Sequence, residues 1–281
     1  MPPRHGVWIL TAKALRAPED VARDLAAKGF RRAYVQITET PASLYPFIRA
    51  ARERGIEVYA LDGSPDDLQH GAALLGRVAE IAAYNRTYAE APFAGLQLDI
   101  APHDLRDLGI RREFYAQRYL ALLNEIAVQS GSILPLSLIV PPEMLTIPAN
   151  GVNLMAKTLA LTNELVITGD RTSYTELVER SRIALQWGER FGKPVFIGIR
   201  IGPVPDEGHL ILRKNGKRNG KRSISLAGMQ WVQEKAYTIP AAAVSFNGRE
   251  ADLVDLLAKH PPSPAFAGWV LNSYEYLNKT P

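Results

Sequence analysis

Cysteine is absent from the 281 residues, so disulfides, thiolate metal sites and cysteine nucleophiles are excluded, while nothing follows about compartment. Long apolar runs are also missing: the longest are about eight residues, against the roughly 20 that cross a bilayer, so no membrane span is expected. The opening MPPRHG has no apolar signal core. The five histidines, at 5, 70, 103, 209 and 260, are scattered without metal-ligand spacing, and no dedicated metal site is expected. After the first apolar stretch comes TAKALRAP, not a glycine-rich phosphate loop, which argues against a dinucleotide. No cofactor is expected.

What is present is apolar content of 47 %, enough for a sizeable core. The formal charge is +4, but six of the 33 basic residues lie in RKNGKRNGKR (213–222), and without those six the rest of the chain stands at −2. The basicity is therefore local. It reads first as a solvated loop or hairpin tip and second as a patch for an anionic polymer; nucleic acid is an unlikely partner, because no aromatic residues interleave with the charges.

One alternation repeats along the chain. Short apolar strands are read at 5–10, 32–38, 56–61, 94–100, 133–140, 164–168, 194–200 and 266–272. Amphipathic helices are read at 17–29, 42–55, 66–89, 111–129, 151–160, 173–191 and 248–259. Strands apolar nearly throughout and separated by helices mean a parallel sheet covered on its outer face. Eight such units in under 300 residues predict an α/β fold: a single (β/α)8 TIM barrel over 1–281, with an insertion after strand seven at about 202–247.

In such a barrel, chemistry belongs at the C-terminal ends of the strands. Those ends carry Glu39, Asp62, Asp99 with His103, Asp170 with Tyr174, Arg200, and Asn272 with Tyr274 and Glu275; Trp8 lies in strand one, where alternation can point it inward. Carboxylates beside aromatic faces suit a sugar ring better than a phosphate, and Trp8, Trp269 and Tyr274 are candidates for stacking.

The stretches EVYALDGSP (57–65), FAGLQLDIAPH (93–103), PVFIGIRIGP (194–203) and FAGWVLNSYEY (266–276), in this order, resemble a bacterial family of TIM-barrel proteins related to glycoside hydrolases. The resemblance implies an oligo- or polysaccharide ligand and a strand-four D-x-E-P run, with two acids on one face of the strand. Asp99, Pro102 and His103 match that run, but Ala101 stands where the family has glutamate; at strand seven, Arg200 replaces a glutamate. A methyl group neither protonates a leaving oxygen nor attacks an anomeric carbon. Three accounts stay open: Ala101 is an engineered change, the chain is a degenerate member that binds a glycan or scaffolds a partner without cleaving, or the chemistry has moved to other acids.

In the third account Asp99 is the proton donor, with its pKa raised by Asp62, and Asp170 activates water. Two strand spacings put those backbones roughly 9–10 Å apart, near the separation used for inversion. Arg200 is read either as a clamp for an anionic sugar or as a neutraliser of Asp99 or Asp170, and Glu39, His103, Tyr174, Asn272 and Glu275 as further substrate contacts. By the same resemblance the chain is bacterial, periplasmic or secreted if a leader has been trimmed and otherwise cytoplasmic; its oligomeric state is not fixed.

Overall fold

The computed structural model describes residues 4–100, 111–146, 148–149, 152–214, 222–226 and 228–277. Eight parallel strands close into a barrel in chain order: β1 (Gly6–Ile9), β2 (Arg32–Gln36), β3 (Glu57–Asp62), β4 (Gly95–Leu98), β5 (Leu136–Val140), β6 (Glu164–Thr168), β7 (Val195–Arg200) and β8 (Phe266–Asn272), with β8 pairing back onto β1. This is the (β/α)8 barrel that the strand pattern predicts. Around it run α1 (Pro18–Ala27), α2 (Tyr45–Arg52), α3 (Gly71–Thr87), α4 (Arg112–Ser130), α5 (Leu154–Leu161) and α6 (Tyr174–Phe191), then α7 (Ala241–Val244), α8 (Glu250–Leu257) and α9 (Tyr274–Leu277). Most of the major helices begin and end within a few residues of their expected bounds: proline or an acid lies in the first turn of α1, α2, α4, α6 and α8, and a glycine closes α4 and α6. Gly192, left-handed at φ 62°, caps α6 in this way.

The strands are apolar on both faces because both faces are buried. Outward residues such as Leu96, Leu98, Ile197 and Ile199 pack under the helices, while Trp8, Tyr34, Tyr59, Leu61, Val166, Phe196 and Val270 form a second cluster inside the ring. At the N-terminal end that interior is plugged by charge. Arg32 of β2 is ion-paired with Glu164 of β6, a strand four places away in either direction around the ring, so the pair spans the barrel. The guanidinium lies between the rings of Tyr59 and Phe196, 4.8 and 4.6 Å from their centroids, and the Tyr34 hydroxyl donates to Glu164 at 3.3 Å. Burial works against charge on Arg32, but Tyr34 and Glu164 outweigh it and hold the pKa above the ordinary arginine value.

One layer higher, the Trp8 indole donates to the Gln97 carbonyl oxygen at 2.5 Å, and the Gln97 amide donates to Ser137 Oγ at 3.1 Å. Trp8 reaches across the ring because Gly198 makes room: a Cβ there would sit 2.6 Å from the indole ring.

The region after β7 departs from the βα rhythm. Glu207–Lys214, Met229–Ile239 and Ser223–Leu226 form an antiparallel three-stranded sheet with the longest strand in the middle. Of the basic run, residues 215–221 lie outside the described set.

Two outcomes follow from this packing. Glu164→Gln removes one of the two carboxylates beside buried Arg32, leaving Glu57 of β3 at 3.0 Å from its Nε, and is expected to cost about 1–3 kcal/mol of unfolding free energy, read from urea titration. His5 Nδ1 accepts the Trp269 backbone N–H at 3.3 Å, and burial, then the nearby His260, push its pKa below 6.5. The unfolded chain therefore takes up this proton first, so stability falls as pH drops below about 6.5 and levels off below the folded value. Denaturation midpoints between about pH 7 and 5 should fall less steeply in His5→Gln than in the parent.

Candidate functional site

Period-two alternation decides which strand-end residues face the bowl. In β3, Tyr59 and Leu61 are inside the ring and Val58 and Ala60 outside, so Asp62 falls on the helix side. There it is buried, accepting from Arg77 Nε of α3 at 2.8 Å and from the Gly63 backbone N–H at 2.6 Å, and Arg77 reaches on to Asp67 at 3.3 Å. The expectation that Asp62 tunes the acid of the next strand is therefore corrected: its charge is spent on fixing α3 to the rim.

The inward parity of β4 passes through Gln97 to Asp99, while Leu98 and Ile100 pack outward. Asp99 is half-buried, and its backbone N–H donates to the Asp62 carbonyl at 2.9 Å. Its charge reaches Tyr119 of α4, whose phenol is raised above its ordinary value first by burial and then by Asp99. Ala101 and His103 lie outside the described residues.

In β7 the inward series is Phe196, Gly198, Arg200, and in β8 it is Val270, Asn272. Arg200 and Asn272 are directly paired, as are Asn272 and Trp8 on the far side, so the three residues share one sector of the barrel. Arg200 Nε donates to Asp170 Oδ1 at 2.9 Å. Asp170 has a φ of 42°, a left-handed conformation that aspartate tolerates better than most residues and that turns its carboxylate onto Arg200. Of the two sequence readings of Arg200, the neutraliser of Asp170 is the one this contact supports. With 43 % of the Arg200 side chain and 21 % of that of Asp170 exposed, water screens the pair, and it orders the rim more than it stabilises the fold.

The inserted sheet is fastened beside this ion pair. Arg171 reaches Glu207 Oε2 at 3.4 Å, the Thr172 N–H donates to the Ala243 carbonyl at 3.0 Å, and the Ala241 N–H donates to Asp206 at 2.8 Å. Glu207 also meets His209 Nε2 at 3.2 Å, and the His209 ring stacks on Tyr237 at 4.9 Å between centroids. These contacts were not read in the sequence, since the strands of the insertion show no single apolar face.

The remaining candidates are dispersed. Trp8 is buried within the barrel and offers no stacking face at the mouth. Trp269 is on the outer side of β8, its indole donating to the Lys259 carbonyl at 3.1 Å. Tyr274 turns toward Asp24 of α1, and burial together with that carboxylate pushes its pKa up to about 12. Glu275 accepts from the backbone N–H groups of Leu10 and Thr11 at 2.8 and 2.9 Å and pins the loop after β1. The Tyr174 hydroxyl donates to the His260 carbonyl at 2.8 Å, and Glu39 is exposed on the loop after β2. Among the described residues no group of three or more His, Cys, Asp or Glu is placed to hold a metal. Gln97 and Ser137 had a visible signal that went unused: a polar residue inside an otherwise apolar strand.

The eight closed parallel strands and the helices around them define a (β/α)8 barrel. A chitinase from Rhizomucor miehei shares it at 14 % identity, over 97 % of this chain and 95 % of that one, with a TM-score of 0.56. A GH18 chitinase from Pseudoalteromonas aurantia does so at 9 % identity over 96 % and 93 %, with a TM-score of 0.56. An endo-β-N-acetylglucosaminidase from Cordyceps militaris does so at 12 % identity over 98 % and 82 %, with a TM-score of 0.51. No protein-family model and no curated protein matches the sequence. At these identities the likeness is one of fold.

The assignment of Asp62 to structure has a measurable consequence. Arg77→Ala is expected to lower unfolding free energy by about 1–3 kcal/mol in denaturant titration while leaving ligand affinity at the mouth unchanged.

Proposed function

We propose that this chain engages an oligo- or polysaccharide at the C-terminal mouth of the barrel, with Asp99 as the central acid, and that its hydrolytic power is impaired by Ala101. The observation that carries the reading is the position of Asp99 at the C-terminal end of β4, two residues beyond the inward Gln97 and on the same mouth of the barrel as the Arg200–Asp170 pair. The chitinases and the endo-β-N-acetylglucosaminidase that share this fold supply the substrate class, and the strand-four run Asp99-Ile100-Ala101-Pro102 supplies the relation to the bacterial family named above.

The relocated mechanism loses ground. A general base needs a carboxylate free to meet the attacking water, and Asp170 Oδ1 is instead engaged by Arg200 Nε at 2.9 Å. A second reading, a non-catalytic glycan-binding or scaffold protein, gains from the same contact, because it occupies the carboxylate that the relocated mechanism needs.

Calorimetric binding and turnover of a glycan panel by the parent and by Ala101→Glu separate these readings. The panel includes chitooligosaccharides and uronate-bearing oligosaccharides, since Arg200 is the rim group that an anionic sugar would meet. Turnover in Ala101→Glu with little or none in the parent marks an enzyme disabled at position 101. Affinity without turnover in either marks a binder, with Asp99→Asn expected to weaken binding about tenfold, or about 1.4 kcal/mol. Absence of affinity for every glycan in both proteins overturns the proposal.

A further inference from the structure

The inserted sheet leaves one edge open. Its strand order puts the eight-residue strand Glu207–Lys214 at a margin, and among the described residues that strand pairs with Met229–Ile239 alone. An edge strand leaves alternate backbone N–H and C=O groups without a ladder partner, and natural proteins guard such edges with short length, proline or a covering element. This strand is long, and it carries Leu210 and Ile211 at its centre, 49 % and 45 % exposed. Its charges are also sorted by sign: Asp206 and Glu207 stand at the start, Arg213 and Lys214 at the end.

We infer that this edge docks a second copy of the same chain, the two strands pairing antiparallel about a two-fold axis beside Leu210. Residues directly opposite in an antiparallel pair share a face of the sheet. A two-fold normal to the sheet keeps every residue on its own face, so the axis passes beside one residue and not between two. Centred on Leu210, the pairing sets Leu210 against the partner's Leu210, Glu207 against the partner's Arg213 and Asp206 against the partner's Lys214. Centred on His209, it sets Glu207 against the partner's Ile211 and Asp206 against the partner's Leu212; centred on Ile211, it sets His209 against the partner's Arg213 and Gly208 against the partner's Lys214. Of these registers, the one through Leu210 answers both acids with cations.

The charged groups keep capacity for that partner. Glu207 meets Arg171 and His209 through Oε2, and Asp206 accepts the Ala241 N–H at Oδ1, so each has a second oxygen. Arg213 touches Glu234 through one terminal nitrogen at 2.6 Å, with 68 % of its side chain exposed, and Lys214 is exposed at the strand end. Backbone pairing and the covering of Leu210 supply the affinity, while the rim charges choose the register. The inference does not rest on the saccharide reading.

Sedimentation equilibrium of the full chain is expected to show monomer at about 1 μM passing to dimer by about 200 μM, a dissociation constant on the order of 10 μM. Leu210→Glu sets two carboxylates across the axis and should weaken association at least about tenfold, and Lys214→Glu, facing the partner's Asp206, about threefold. Because the chain has no cysteine, an introduced thiol reports the register directly. Leu210→Cys brings two thiols to the axis, where opposed Cα atoms lie about 4.5–5.5 Å apart, within disulfide reach. Gly208→Cys leaves them four residues apart along the strands, about 13 Å. Mild oxidation should therefore link the first variant and not the second on a non-reducing gel. A parent that stays monomeric at about 200 μM, association indifferent to Leu210→Glu, or equal cross-linking of the two cysteine variants overturns the proposal. So does a mass that rises only when an added polyanion such as polyglutamate bridges the copies.

Discussion

The barrel depends on a buried charge matched from two sides, by Glu57 of the neighbouring β3 and by Glu164 across the ring. Arg32 enters the interior from β2, where an unpaired guanidinium would be prohibitively costly, and Glu164 meets it from the strand directly across the ring. Two aromatic rings clasp the guanidinium and a tyrosine hydroxyl satisfies the carboxylate, so the floor is filled by polar groups that are nearly all paired. The layer of Trp8, Gln97 and Ser137 is built on that floor. Both layers are packed solid, and the bowl above them is what remains for chemistry.

The electrostatics of that bowl differ from the paired-acid arrangement that the strand-four run suggests. Asp62 is withdrawn to the helix side by Arg77, and Asp170 is matched to Arg200. Beside this pair Arg171 reaches Glu207 of the inserted sheet, and Thr172 is bonded to Ala243 of α7.

The barrel was readable because its strands are buried on both faces and so stand out as apolar runs between helices with ordinary start and stop residues. The same property hid side-chain direction. In EVYALD every residue after the first is apolar or aromatic except the last, so nothing in the run says that Asp62 shares a face with Val58 rather than with Tyr59. Trp8 and Trp269 illustrate the point: each is an aromatic in a barrel strand, and one packs within the ring while the other packs under the helices. The inserted sheet escaped notice for the opposite reason. Leu210, Ile211 and Tyr237 are exposed among charged neighbours, and no hydrophobic period marks the strands. The Asp170–Arg200 contact was among the readings of Arg200 made from the sequence, and the two residues do end adjacent strands of the barrel.

The diametric position of the Arg32–Glu164 pair bears on how such a barrel can be divided. Cut between β4 and β5, the chain yields two four-stranded fragments: Arg32 keeps Glu57 of β3, 3.0 Å from its Nε, whereas Glu164 loses its guanidinium. The second half-barrel then buries a carboxylate without its cation, so it is incomplete in the electrostatic sense as well as in its hydrogen-bonding edges. The two would recombine as complementary pieces rather than persist as separate folding units, and an ancestry by doubling of one self-sufficient half would have required this pair to arise after the ring had closed.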